Sequence, residues 1–467
     1  MNHARRTLLS ATLGTLAVLV AFTATLANLN QTATGLGAGA SGRTWILSSM
    51  SIGLGAFLLT AGRVADDFGR RRTFVVGTVV LAVGSLVAAI TPDVEMFVLA
   101  RVVQGVGGAA VIASGLGMLA TAFPDPLERA RATGIWGASV GAGIAVGPIL
   151  STWLGRWHSW RDVYVVVAAA GVALALTAAG CPESRAAHRS RLDVPGVLLL
   201  ALGTSALLAG LTEGREGWIR PLVLVLLMLG VVLLAAFVVV ERRSDHAMID
   251  LGLFRRPAFA AVTAAALATG GGIIALLSYI SGFAGIALGL PPTTTAWLML
   301  VWSGPSVVAA LVARRLPHHW TGRARMGGAL VAIAVGQLML WGIDTGSGAG
   351  RFVPGLLLAG VASGVLNAAL GRESVASVPT AQAGLGSGAN NTARYLGAAL
   401  GVTVVSVVAT PSGPLSATAL VDGWNRAALV TAAVSLVGAL VVLLVGERVV
   451  AVQPIAETPS PQKVDAA

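Results

Sequence analysis

The chain of 467 residues is 55% apolar and only 11% charged, with a mean hydropathy of +0.82, a composition that excludes an ordinary soluble domain of this size. Its net charge of +11 rests almost wholly on arginine, Lys463 being the one lysine, and these bases fall in short stretches between apolar runs. Such placement retains loops on the cytoplasmic face and meets anionic head groups, so membrane lipid is an expected partner and nucleic acid is not. The single cysteine, Cys181, excludes an internal disulfide, and His3, His158, His188, His246, His318 and His319 fall in loops or tails without metal spacing. Neither a metal nor a cofactor is expected.

In chain order, apolar runs at 8–29, 44–61, 73–90, 96–119, 132–154, 163–181, 194–211, 219–240, 258–284, 293–313, 326–343, 352–371, 386–410 and 426–446 predict fourteen helices. Each is roughly 18 to 27 residues, enough to cross a hydrocarbon core about 30 Å thick. The first follows Arg5 and Arg6 and exceeds the roughly 7 to 15 apolar residues of a secretory signal, so it reads as an uncleaved span. The closing stretch 453–467, with three prolines and mixed charge, reads as disordered. With both termini inside, the inner segments hold 22 Arg or Lys and the outer loops seven, leaving Arg101 and Arg394 within spans. That asymmetry sets the orientation in a cytoplasmic membrane.

Between the second and third spans, Gly62-Arg63-Val64-Ala65-Asp66-Asp67-Phe68-Gly69-Arg70-Arg71-Arg72 forms a charged connection. Gly62 and Gly69 are expected to permit a tight turn, Asp66 to accept from helix N-terminal amides, and Arg70 to pair with a carboxylate. A solvated basic loop that only sets topology is the plainer reading. The spacing of two glycines, an acid and the bases resembles the cytoplasmic loop signature of the major facilitator superfamily. After the tenth span, His319-Trp320-Thr321-Gly322-Arg323-Ala324-Arg325 repeats the glycine and two arginines, with histidine in place of the acid. The whole layout, from about 8 to 446, resembles the fourteen-span drug:proton antiporter branch.

That resemblance implies an all-α polytopic membrane protein with a six-helix bundle over 1–181, two inserted helices over 182–256, a second six-helix bundle over 257–446 and a cytoplasmic tail over 447–467. It implies a monomeric, non-enzymatic secondary exporter of amphiphilic drug-like molecules by alternating access, with protons as the coupling ion and Gly62, Asp66, Gly69, Arg70 and Arg71 as a conformational latch. An uncoupled facilitator or a nontransporting sensor on the same fold is the alternative. The lone lysine, distant from any Gly-rich loop, excludes an ATP-driven pump within the chain, and no span gathers catalytic groups.

Arg101 and Gln104 share a face of the fourth span and look like the superfamily's second motif, which implies a part in proton coupling or cavity charge; Glu213 is a further candidate. Snorkelling of Arg101 to the outer face is the alternative. In the fifth span, Gly137, Gly141, Gly143, Gly147 and Pro148 resemble the antiporter motif and imply a hinge, although close helix packing explains some of the glycines equally well. Relatives carry an aspartate in the first span where this chain has Thr23, and no Asp or Glu lies near any midplane. A neutral or anionic substrate therefore fits better than a cation. Asn28, Gln31, Tyr279, Trp302, Asn367, Asn390, Asn391 and Arg394 are the expected cavity residues.

Overall fold

The computed structural model describes residues 3–186, 193–214, 217–244, 251–315, 320–379, 382–409 and 416–445. The tail 447–467 and His188, His246, His318 and His319 lie outside them. The helices are α1 His3–Gly35, α2 Ala40–Phe68, α3 Arg70–Ile90, α4 Val94–Ala122, α5 Pro126–Trp157, α6 Asp162–Ala178, α7 Val194–Glu213 and α8 Pro221–Arg243. They continue with α9 Pro257–Thr269, α10 Ala275–Ala287, α11 Pro292–Val312, α12 Gly322–Met339, α13 Val353–Ala376, α14 Ala383–Ala409 and α15 Ala417–Leu444. A π-helical turn at Gly270–Ile274 joins α9 to α10 into one rod.

Twelve of these rods are long and apolar enough to cross a membrane. Two more, α6 and α12, complete the bundle; α6 has 17 residues and α12 opens on Gly322, Arg323 and Arg325, which lowers its hydropathy. Helix starts are written locally. Asp93 accepts from Met96 N (2.8 Å) at the head of α4, and Asp125 accepts from Leu127 N and Glu128 N (both 2.9 Å) at the head of α5, where Pro126 needs no partner for a missing N–H.

Two groups of helices pack internally. α4 is packed by α1, α2 and α3, with α5 and α6 lying on α1 and α3. In the second group α13 packs on α11 and α12, while α14 and α15 pack on α9. The latter core is aromatic, with Phe283 stacked on Trp424 at 4.6 Å and Phe352 edge-on to Trp424 at 5.7 Å. The pair α7 and α8 leans on this body through α7, which touches α2 and α14. Only 17% of the most apolar window of α8 is buried, so its Leu224, Val225, Met228, Val231 and Val232 face outward, as suits a helix whose solvent is hydrocarbon.

Gly62 departs from its expected role. The second helix does not stop at 61 but runs to Phe68, so Gly62 is helical; Gly69 alone makes the turn, with φ of +121°. What requires a glycine at 62 is the neighbouring helix, since a Cβ there would stand 2.7 Å from Gly384 C and 3.1 Å from Leu385 Cα.

Candidate functional site

The charged end of α2 is buried. Asp66 and Arg70 are each 1% exposed, and Arg70 donates through Nε (2.9 Å) and Nη2 (2.7 Å) to Asp66 Oδ1. The same carboxylate accepts from the first amides of α14, Gly384 N at 3.0 Å and Leu385 N at 2.9 Å. An acid from one helix group thus completes the N-terminus of a helix in the other, where unpaired N–H groups and the helix dipole favour negative charge. The segment after α6 seals the site: Ser184 O accepts from Arg70 N (2.9 Å), and Asp66 O accepts from Ala186 N (2.7 Å). Arg71 lies outside this knot, 3.5 Å from Glu183 and about one third exposed.

Above the knot the two groups separate around a cavity of about 190 Å³, measured as the space open to the centre of a water molecule. Its walls come from α1, α2, α5, α7, α9, α10, α11, α13 and α14. The lining falls midway along these helices or toward the α1–α2 connection, while the α2–α3 end is packed shut. Leu19, Phe22, Thr23 and Leu26 form the α1 wall at helical spacing. Phe22 meets Tyr395 of α14 edge-on at 5.9 Å.

Of the residues named from the sequence, Trp302, Asn367 and Arg394 line this cavity and the other five do not. Asn28 is five residues beyond Thr23 on α1, so it faces elsewhere and donates to Trp160 O (3.3 Å). Gln31 is exposed near the end of α1, and Tyr279 stacks on Phe283 and Trp424 inside the aromatic core. Asn390 and Asn391 are buried nearer the closed end; Asn391 donates to Ser387 O (3.0 Å) and accepts from Arg394 (2.5 Å). Sequence reasoning missed Ser363, Tyr395 and the hydroxyls of Ser48, Ser51 and Thr212, because a serine in a span is read first as an interhelical bond. It also missed the π-turn, for which the run Gly270-Gly271-Gly272 is a visible signal.

The cavity is donor-rich and poor in acids. Arg394 is its one charged lining residue, and among the described residues no carboxylate lies within ion-pair distance of it. Trp302 Nε1 and Ser363 Oγ, both lining, are buried without a hydrogen-bond partner. Thr23, where relatives were expected to carry an acid, spends its hydroxyl on Leu19 O (2.8 Å) and Gly143 O (3.3 Å).

The remaining expected groups sit behind the walls. Arg101, fully buried rather than snorkelling, donates to Ala21 O (2.7 Å) and Gln104 Oε1 (2.8 Å), and its guanidinium carbon lies 6.0 Å from the Tyr164 ring. Gln104 passes the chain on to Ser85 Oγ (2.8 Å). Glu213 accepts from Trp45 Nε1 and pairs with Arg220 at 3.3 Å, at the very end of α7. The α5 glycines split in two: Gly137 and Gly141 face Ala368 and Val307 of the other helix group, while Gly143 and Gly147 face Leu19 and Thr23 of α1. α5 runs unbroken through Pro148.

Comparison with known proteins decides the family. The model of the major facilitator superfamily matches residues 11–402. The chain belongs to that superfamily. It is 33% identical over 386 residues to puromycin resistance protein pur8 of Streptomyces alboniger, covering 80% of this chain and 76% of that one. It is likewise 33% identical over 408 residues to a probable actinorhodin transporter of Streptomyces coelicolor (84% and 70% covered), and 30% identical to multidrug resistance protein Stp of Mycobacterium tuberculosis (79% and 69% covered). Among solved structures, the proton:xylose symporter XylE superposes with a TM-score of 0.69 at 15% identity over 95% of this chain and 96% of its own, which shows the shared fold. This superfamily member is a multi-pass membrane transporter and not an enzyme.

Proposed function

We propose that this chain is a fourteen-span exporter of amphiphilic small molecules in the cytoplasmic membrane, with both termini on the cytoplasmic side, working as a single chain by alternating access. The observation that carries the reading is the pairing of a central cavity, lined midway along the helices and toward the α1–α2 end, with a sealed α2–α3 end at which Asp66 of one bundle holds the first amides of α14 in the other. In this reading Gly62, Asp66, Gly69 and Arg70 form the cytoplasmic latch of the outward-facing state, Arg71 props it, and α5 slides on α11 and α13 as the latch opens. The 1–181 and 257–446 bundles rock about the cavity, and 182–256 adds the α7–α8 pair. The relatives' names, a puromycin resistance protein and a multidrug resistance protein, support drug-like cargo.

Proton antiport would need a titrating group in the pathway. Glu213 is occupied by Trp45 and Arg220, and Arg101 with Gln104 lies behind α1. The absence of a carboxylate from the described lining favours a second reading, transport without an exchanged proton. Flux of an amphiphile panel in proteoliposomes tests the reading. Protein-dependent movement is expected; binding without movement would make the chain a sensor.

A further inference from the structure

Three polar groups of the cavity lining can each donate to a ligand. Arg394 presents only donors, and so does the indole N–H of Trp302, while the Ser363 hydroxyl is unpaired beside them in the lining. The surrounding wall, built from Leu19, Phe22, Ile273, Leu277 and Tyr395 among others, is apolar. A ligand that satisfies this set carries acceptor oxygens with negative charge at one end and a hydrophobic body at the other. A cationic amphiphile would instead bring a second positive charge beside Arg394 with no acid to offset either.

Acids on the helices packed around α14 do not alter this. Asp66 and Asp67 lie at the α2–α3 end, Glu95 in the first turn of α4, Glu213 at the end of α7, Glu373 in the last turn of α13 and Asp422 in the second turn of α15. None of them lines the cavity. Tyr395, the lining neighbour of Arg394, contributes its ring, 5.9 Å from the guanidinium carbon.

We propose that the cavity selects amphiphilic monoanions through Arg394, Trp302 and Ser363, and that the membrane potential acting on the substrate's own charge drives export. This rests on the exporter reading and supplies what a missing proton carrier leaves open. Each cycle carries one net negative charge outward and returns an empty site, so an interior-negative potential pushes the cargo out with no exchanged ion. At 100 mV the limiting concentration ratio for a monoanion is about 50-fold.

The test uses the full chain in proteoliposomes, with a potassium gradient and valinomycin to set the potential, or a pH gradient alone. The probes are 8-anilinonaphthalene-1-sulfonate as a permanent anion, tetraphenylphosphonium as a permanent cation and N-phenyl-1-naphthylamine as a neutral aromatic. Anion accumulation at least tenfold greater at 100 mV interior-positive than at zero potential, with no accumulation from the pH gradient alone, is expected. Arg394→Gln is expected to cut anion flux at least tenfold and to lower the ratio of anion to neutral-probe flux by a similar factor, while Arg394→Lys restores a substantial part of the anion flux. Trp302→Phe keeps an aromatic ring, removes the N–H, and is expected to raise the anion's half-saturating concentration several-fold more than that of the neutral probe. Preferential movement of the cation, anion accumulation driven by the pH gradient, or undiminished anion flux in Arg394→Gln overturns the inference and leaves an exporter standing. No protein-dependent movement of any probe overturns the exporter reading and this inference with it.

Discussion

The two bundles meet along two seams built on different principles. Where α2 crosses α14, backbone rests on backbone: a Cβ on Gly384 would stand 2.6 Å from Gly62 O, and one on Gly388 would stand 3.0 Å from Leu59 Cα. The Asp66 knot then closes the end of that crossing. Where α5 crosses α11 and α13, the approach is wider, with Gly134 3.3 Å from Ala310 O and Gly141 3.2 Å from Val307 Cγ2 by the same measure. No ion pair spans that second seam among the described residues. Small residues lower the barrier to sliding, whereas a buried charge joined to helix amides makes an arrangement that is either complete or broken. The contrast teaches that, in the proposed cycle, opening of the α2–α3 end is gated at one seam and accommodated at the other.

Breaking the knot should have the largest effect. Asp66→Ala removes the carboxylate shared by Arg70 and two amides, a loss of about 3–5 kcal/mol for a buried pair. Spin-label distances between the α2–α3 connection and the start of α14 are expected to lengthen and broaden, with transport falling at least tenfold; unchanged distances would remove the gating role. Gly62→Ala attacks the same seam without touching charge and should cost about 1–3 kcal/mol, as overpacking against rigid backbone does. Its signature is the same lengthening, with a lowered melting temperature in detergent.

Smaller effects separate the knot from its surroundings. Arg71→Ala removes a partly exposed pair with Glu183 and should cost about 0.2–1 kcal/mol, leaving those distances unchanged and transport within about threefold. Gly134→Ala, on the wider seam, where a Cβ would stand 3.3 Å from Ala310 O, should cost less than Gly62→Ala, at most about 1 kcal/mol, checked by the same melting curve. A collapse as large as that of Gly62→Ala would erase the distinction between the seams.

The sequence shows the fold well and the cavity poorly, for reasons that differ by residue. Long apolar runs state their own lengths, and charges among them stand out, so Asp66, Arg101 and Arg394 are conspicuous in the text of the chain. Gly62 looked like a turn residue because its true constraint, the backbone of α14, lies more than three hundred positions away. Polar spans such as Asn28 and Tyr279 were drawn toward the cavity by chemistry alone, but helix phase decides which face they occupy. Phase is in turn set by the helices' rotation in the bundle, which local sequence does not encode.

The π-turn at Gly270–Ile274 has a consequence for how this rod is read and edited. A π-turn holds one residue more than the α-helix it interrupts, so every side chain beyond it is rotated by about 100° from the place a straight helix would give it. Ile273, Ile274, Leu277 and Ser278 reach the cavity wall in that shifted phase. The bulge itself lies against Gly397 and Gly401 of α14, where there is no room for a side chain. Deleting Gly271 would therefore remove the extra residue together with the bulge and leave the α10 side chains on the faces they now occupy, whereas straightening the turn without a deletion would rotate α10 by about 100° and swing a different stripe of residues toward the cavity. In this stretch the frame of the helix, more than the identity of any side chain, carries the information about what the wall presents.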